Sequence, residues 1–298
     1  MRKVLLVDVD SKIPNLALMK ISAYHKSIGD IVGFNIGDPD LVYASIIFSK
    51  NYWKGNGIKS MYPDAEVFIG GSGYDLKKKL PDHIECLMPD HDLYPDMDYS
   101  LGFTSRGCIR NCPFCIVREK EGYFKPVSGI YQFWNPDHKK IVLLDNNILA
   151  NWNHFKMVAD QILEHDLIVD FNQGLDIRLI NDQNADLLSK LRVERYRFAW
   201  DNRKDEKKIL KGIRILKDHN ITHSLFYVLV GYNSTKEDDL YRLNKLKELD
   251  QRAYVMRYRK NRFYNDLSAW ANQQNFFMKF NFDQFRLLRH NRGMKINV

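Results

Sequence analysis

Apolar residues recur along this chain in two alternating rhythms. Val4-Leu5-Leu6-Val7 is a short unbroken apolar run that predicts a strand. After it, Leu16, Met19 and Ala23 lie at helical spacing and predict a helix over 16–28, ended by Gly29. Further strands are predicted at 31–34, 43–48 and 67–69, with a short helix near 52–59. Strands that alternate with helices imply a parallel sheet whose ligands gather at the strands' carboxyl ends. The stretch 81–98, with Pro81, Pro89, Pro95 and many aspartates, reads as a linker.

Beyond it the alternation continues in larger units. Strands are predicted at 100–104, 141–144, 168–171, 196–199, 224–230 and 254–256. Helices are predicted at 154–165, 184–191, 205–218, 236–249 and 266–276. Ile209, Ile213 and Leu216 share one helix face, and Leu240, Leu243 and Leu246 another. Ser234 and Glu237 form a capping-box pattern in front of the latter. Six strand–helix units in sequence predict a β/α barrel, complete or partial, with its active mouth at the strand ends.

Length and charge narrow the classes. A chain of 298 residues with 45% hydrophobic content can bury a real core, and disorder is excluded as its default state. No apolar run approaches the ~20 residues that span a bilayer. The opening Met1-Arg2-Lys3 meets Asp8 too soon for a signal peptide. The expectation is a cytoplasmic protein with no membrane partner. The net charge is +8, and residues 251–298 alone hold ten Lys/Arg against Asp266 and Asp283, so the basic excess is local. Ten aromatic residues share that segment, densest around Tyr254, Arg257, Tyr258, Arg259 and Arg262. Two readings stand for it: rings that pack a terminal helix while arginines reach to water, or a contact for nucleic acid or another polyanion.

Four cysteines occur, three of them as Cys108-x3-Cys112-x2-Cys115 directly after a predicted strand. A disulfide framework would spread its cysteines along the chain, whereas clustered thiols point to metal or redox chemistry. Three thiolates can each ligate one iron of a [4Fe–4S] cluster and leave the fourth iron open to a small molecule. Two other readings of the residues are a zinc site completed by Cys86, His83 or His91, and a four-cysteine electron-transfer cluster using Cys86.

On Cys108, Cys112 and Cys115, with Phe114 before the last of them, the chain resembles the radical S-adenosylmethionine (SAM) superfamily, more loosely over 100–260. The resemblance implies a [4Fe–4S] cluster whose open iron binds SAM, reductive cleavage to a 5′-deoxyadenosyl radical, and an external electron donor of flavodoxin or ferredoxin type. It also implies cofactor contacts at strand ends: Asp145, Asn146 and Asn147 where relatives often carry Gly-Gly-Glu, then Gln173 and Arg178, Asp201, and Gly231. Residues 1–98 resemble the cobalamin-binding-like Rossmann domain that precedes many such barrels, on Leu5–Asp8 and Ile69-Gly70-Gly71-Ser72-Gly73. The lower-ligand histidine of cobalamin binders is missing after Asp8, and His25 stands off register, which counts against cobalamin. The whole implies an α/β protein: a small Rossmann-like parallel-sheet domain (1–98), a partial (β/α)6 barrel (99–260) and a basic aromatic extension (261–298). Relatives that methylthiolate tRNA carry three more N-terminal cysteines, and only Cys86 is present here. The substrate stays open. The alternatives are a cobalamin-dependent radical SAM methyltransferase and a non-enzymatic, zinc-stabilised nucleic-acid-binding protein.

Overall fold

The computed structural model describes residues 1–291. The end of the predicted extension, with Arg292 and Lys295, lies outside the described residues. The chain divides into two compact units, residues 1–142 and 143–298. The general architecture is alternating α/β with parallel sheets. Among the described residues no helix is long and apolar enough to cross a membrane.

The first unit opens with β1 (Lys3–Asp8), α1 (Leu16–Ser27), β2 (Ile31–Gly33), β3 (Leu41–Ser45), α2 (Lys54–Met61) and β4 (Glu66–Gly70). The strands form one parallel sheet in the order β2-β1-β3-β4, with Val7 opposite Ala44 and Ala44 opposite Ile69. Leu5, Val42, Ala44, Ile46, Ile58 and Ile69 make its core. Asn15 caps α1 by accepting from the Leu18 N–H, and Gly29 leaves the helix at φ +81°.

Two expectations fail in this unit for visible reasons. The predicted strand 43–48 stops at Ser45, because the N–H groups of Ile47 and Phe48 turn to the Asp10 carboxylate (2.7 and 3.1 Å) instead of continuing the ladder. The supposed linker is ordered and buried in part. It holds α3 (Asp82–Glu85) and a 3-10 turn (His91–Leu93), with Ile84 and Leu93 in the core. Asp90 fixes it to α1 through Ser22 (2.5 Å) and Lys26 (2.7 Å). The unit continues with β5 (Ser100–Gly102), β6 (Ser105–Arg106), α4 (Val117–Glu121), β7 (Lys125–Pro126) and β8 (Lys140–Leu143), which lies beside β5.

The second unit contains α5 (Trp152–Glu164), β9 (Ile168–Phe171), α6 (Asp182–Lys190), β10 (Arg192–Val193), β11 (Arg197–Ala199), α7 (Glu206–Asp218), β12 (Leu225–Val230), α8 (Lys236–Glu248) and β13 (Arg252–Arg257). Three helices follow: α9 (Arg262–Ala271), α10 (Gln274–Lys279) and α11 (Phe282–Asn291). β11, β12 and β13 form a parallel sheet, and β9 pairs in parallel with β10. Between β9 and β11 the Leu175 N–H donates to the Arg197 carbonyl (2.7 Å), without a continuous ladder.

Here too the differences have causes. The cap of α8 is Thr235, which accepts from the Asp238 N–H (3.1 Å); Ser234 donates instead to Asp239 (2.7 Å). The predicted helix 266–276 is two helices, because the Asn272 side chain exchanges hydrogen bonds with the Val255 backbone (2.6 and 3.3 Å) and breaks the run. Most rings of the basic segment pack. Trp270, Phe277, Phe282 and Phe285 are buried, with Trp270 edge-on to Phe277 at 5.0 Å. Tyr254 and Tyr258 remain exposed.

Candidate functional site

The cysteines occupy the tip of a two-stranded antiparallel ribbon. Its arms are β6 and β7, paired Ser105 to Pro126 and Arg106 to Lys125, and residues 107–124 connect them. Gly107 turns the chain into this loop at φ +75°, and an added Cβ there would lie 2.2 Å from the Tyr123 carbonyl oxygen. Only glycine fits both demands. The Cys108 N–H then donates to the Gly122 carbonyl (3.3 Å), and the Cys115 N–H to the Cys112 carbonyl (3.0 Å).

Two arginines hold the ribbon, and neither stood out in the sequence. Arg106 lies over the Phe103 ring (3.5 Å to its centre) and pairs with Glu85 (2.6 Å) and Glu121 (3.4 Å). Arg118 donates to the Cys108 carbonyl (3.1 Å) and lies over the exposed Tyr123 ring, 3.3 Å from its centre. Its hydrogen bond and its charge hold the Tyr123 phenol below the usual range. Their only signal was a basic residue flanking each end of the cysteine run.

None of the three cysteines is in a disulfide; Cys108 and Cys112 are half-buried and Cys115 is exposed, with Phe114 half-buried between the last two. The Arg110 N–H points at the Cys108 sulfur (3.3 Å), the type of donor that supports a ligating thiolate. In donor chemistry, three soft thiolates on one short loop fit an iron–sulfur cluster or zinc. In geometry they are not yet converged: among the described residues no three His, Cys, Asp or Glu side chains are grouped to hold a metal ion. Cys86 is exposed and its thiol contacts the His83 carbonyl (3.5 Å), so no fourth ligand joins them in such a group.

The strand-end residues named from the resemblance belong to the second unit, where several meet one another. Asp145 and Asn147 are buried after β8, and the amide of Asn147 reaches Asp176 (3.5 Å). Asn146 also buries its side-chain amide nitrogen, which has no hydrogen-bond partner among the described residues. Gln173 is exposed. Arg178 forks onto both oxygens of Asp176 (2.7 and 3.1 Å) and reaches Asp205 (3.1 Å) with a third nitrogen. These two carboxylates outweigh the burial of the guanidinium and keep it firmly protonated. A bound carboxylate would have to displace one of them.

Asp201 accepts the Leu229 N–H (3.0 Å); burial pushes its carboxyl up, against that bond and the charges of Arg242 and Arg178. Gly231 takes φ +75° beneath the Tyr264 ring, which an added Cβ would meet at 2.9 Å. Its N–H donates to Asp239 (2.9 Å). Asp239 pairs with Arg242, and both side chains are fully buried. Arg242 also donates to the carbonyls of Trp200 (2.5 Å) and Leu229 (2.9 Å). A helix-borne ion pair thus ties together the ends of β11 and β12.

Sequence reasoning also missed the unlike faces of the second unit's sheet. Phe198, Phe226, Val228, Ala253 and Val255 are buried on one face. The alternate positions mix Arg197, Tyr227, Arg252, Tyr254 and Met256 with Ala199 and the buried Leu225 and Leu229. Arg197 pairs with Asp170 of β9, and Tyr227 meets Tyr254 edge-on at 5.9 Å. Burial raises the Tyr227 phenol, with Arg197 opposing and Asp170 adding to the effect. Parallel sheets are ordinarily covered on both faces by apolar groups. This face differs in carrying charged and ring side chains, with Tyr254 and Met256 exposed.

No protein-family model and no curated protein matches this chain.

In the first unit, His25 is no candidate ligand. It is buried, and its two ring nitrogens meet Asp30 (2.8 Å) and the Tyr43 hydroxyl (3.3 Å). The Arg2 N–H and His25 hold the Asp30 carboxyl down at about 2.

Proposed function

We propose that this chain is a radical SAM enzyme, in which Cys108, Cys112 and Cys115 hold a [4Fe–4S] cluster. The observation that carries the reading is the C-x3-C-x2-C run itself, three cysteines outside any disulfide on a single loop shortly after the carboxyl end of β5. When bound, the cluster supplies the electron that cleaves SAM to methionine and a 5′-deoxyadenosyl radical. The chain's own residues bind, orient and shield. Gly107 sets the entry angle of the ligand loop, the Arg110 N–H supports the Cys108 sulfur, and Arg118 fixes the loop backbone at the Cys108 carbonyl. Asp145, Asn146, Asn147, Gln173, Arg178, Asp201 and Gly231 stay the candidates for SAM. Asn146 is the best placed of these for a new hydrogen bond, since its buried amide nitrogen is unpartnered. The reading implies a partial (β/α)6 barrel over 99–260, a cytoplasmic setting and a flavodoxin- or ferredoxin-type electron donor. The face carrying Arg197, Tyr227 and Tyr254 is the candidate for substrate contact.

The test is anaerobic reconstitution with iron and sulfide. A brown charge-transfer band with about four irons per chain is expected, together with 5′-deoxyadenosine on addition of dithionite and SAM. Cys112→Ala should abolish both. One zinc per chain, with no iron bound, would replace this reading with the zinc-stabilised one. A fully loaded, reduced protein that yields no 5′-deoxyadenosine would overturn the enzymatic reading.

A further inference from the structure

The carboxyl edge of the first unit's sheet is where a parallel α/β fold normally opens a crevice for ligands. Here the crevice is laced over. Asp10, just past β1, accepts the N–H groups of Ile47 and Phe48 and the Asn51 amide (2.8 Å), all from the segment after β3. From the other side, Gly71 and Gly73 lie against the same segment. A Cβ on Gly71 would come 2.3 Å from the Ile46 carbonyl oxygen, and one on Gly73 would come 2.5 Å from the Phe48 backbone. What the edge presents to solvent is a fixed surface of rings and amines.

Phe48 (40% exposed), Tyr52 (52%) and Trp53 (68%) stand on that surface. The Lys12 and Lys50 ammoniums lie 6.0 and 5.8 Å from the centre of the Phe48 ring, and the Lys54 ammonium lies 6.0 Å from the Trp53 ring. Tyr52 stacks on Tyr74, centres 4.9 Å apart and planes 19° from parallel. Between Asp40 and Asp64 the sequence has no acidic residue, while Lys50, Lys54 and Lys59 fall within it. Two nearby carboxylates are engaged by donors of the fold: Asp10 as described, and Asp8 by the Tyr94 hydroxyl (2.8 Å) and the Ser11 N–H (3.1 Å).

We propose that this edge, through Lys12, Phe48, Lys50, Tyr52, Trp53 and Lys54, binds single-stranded nucleic acid. Every nucleotide offers one flat base and one phosphate, and this surface alternates rings with ammoniums over the same few ångströms. A surface made to enter a membrane would gather its rings into an apolar tip with the charges at its margin; here the amines sit over the rings themselves. The proposal places the nucleic-acid contact in the first unit, apart from the basic segment of the second, and does not depend on the cluster.

The experiment titrates fluorescein-labelled oligothymidylate and oligouridylate of about twelve nucleotides into the full chain, without metal reconstitution, and follows anisotropy. Trp53→Ala should weaken binding about 5- to 100-fold. The triple replacement of Lys12, Lys50 and Lys54 by glutamine should flatten the slope of log K against log salt by about 2. Replacing Arg257 and Arg259 by alanine should leave binding unchanged. All three surface changes spare the core, and circular dichroism checks that they fold. Undetectable binding at low salt would overturn the proposal, as would full binding by both patch variants or loss confined to the Arg257/Arg259 variant. So would tighter association with phosphatidylserine–phosphatidylcholine vesicles than with either oligonucleotide.

Discussion

The ribbon that carries the cysteines and the ion pair that joins β11 to β12 solve opposite problems with the same residue types. In the ribbon, Arg106 and Arg118 lie over rings near the surface, and two pairs of ladder residues hold the arms. In the second unit, Arg242 and Asp239 are completely enclosed, and their hydrogen bonds run to strand-end carbonyls and the Gly231 N–H. An arginine that can regain water on leaving its partner gives a segment that rearranges cheaply. An arginine whose partner would be stranded without water gives one that does not. Chemistry that must close around a new ligand suits the first arrangement. The second suits a frame against which binding groups keep their positions.

The sharpest way to break this contrast is Arg242→Ala. It leaves the Asp239 carboxylate enclosed without its cation, and a loss of about 3–5 kcal/mol in urea-induced unfolding is expected. A loss below about 1 kcal/mol would place the pair with ordinary surface bridges. Gly107→Ala comes next. Its cost, about 1–3 kcal/mol from the left-handed backbone and the Tyr123 carbonyl, should appear locally, as faster amide exchange over 107–124 and poorer iron retention. A global midpoint that falls as far as that of Arg242→Ala would show the ribbon to be part of the frame.

Cys112→Ala should shift the unfolding free energy of the metal-free chain by no more than about 0.5 kcal/mol, because the residue is half-buried rather than enclosed. The smallest effect is a titration. With Arg118 present, the Tyr123 phenol ionises below its ordinary value near 10. A lowered acid contributes its stabilisation above the unfolded value and loses it as pH falls through the folded one. Arg118→Gln should therefore move this ionisation up, read as tyrosinate absorbance, and remove the alkaline strengthening of the ribbon. An unmoved titration would mean that the stacking seen between the two side chains does not persist in solution.

Strong periodicity made much of the fold legible beforehand. The helix face Ile209–Ile213–Leu216 is buried as its spacing implies, Leu243 and Leu246 are buried while Leu240 of the same face is only half-buried, and β9 runs over the predicted residues. Features set by tertiary partners were not legible. Ile46-Ile47-Phe48 looks like strand until Asp10 captures the N–H groups of Ile47 and Phe48, and two-residue arms such as β6 and β7 have no period to read. Asp239 and Arg242 look like any i,i+3 surface pair on a helix, since nothing in their spacing reveals that both are enclosed. Arg178 illustrates the same limit at the site, for its nearest claimant is Asp176, two residues away. The cysteine spacing was plain, but the arginines that hold its loop depend on rings and carbonyls brought in by folding.

The brevity of the β6–β7 pairing has a consequence for energetics. An isolated two-stranded ribbon is marginal in water at best, so α4 and the arginine contacts carry much of the order of residues 107–124, and a bound ligand would add to it. Whatever ion or cluster the three sulfurs capture would act as a staple, and its affinity would include the free energy of organising that hairpin. Loading the metal and finishing the fold of this segment would then be a single thermodynamic event.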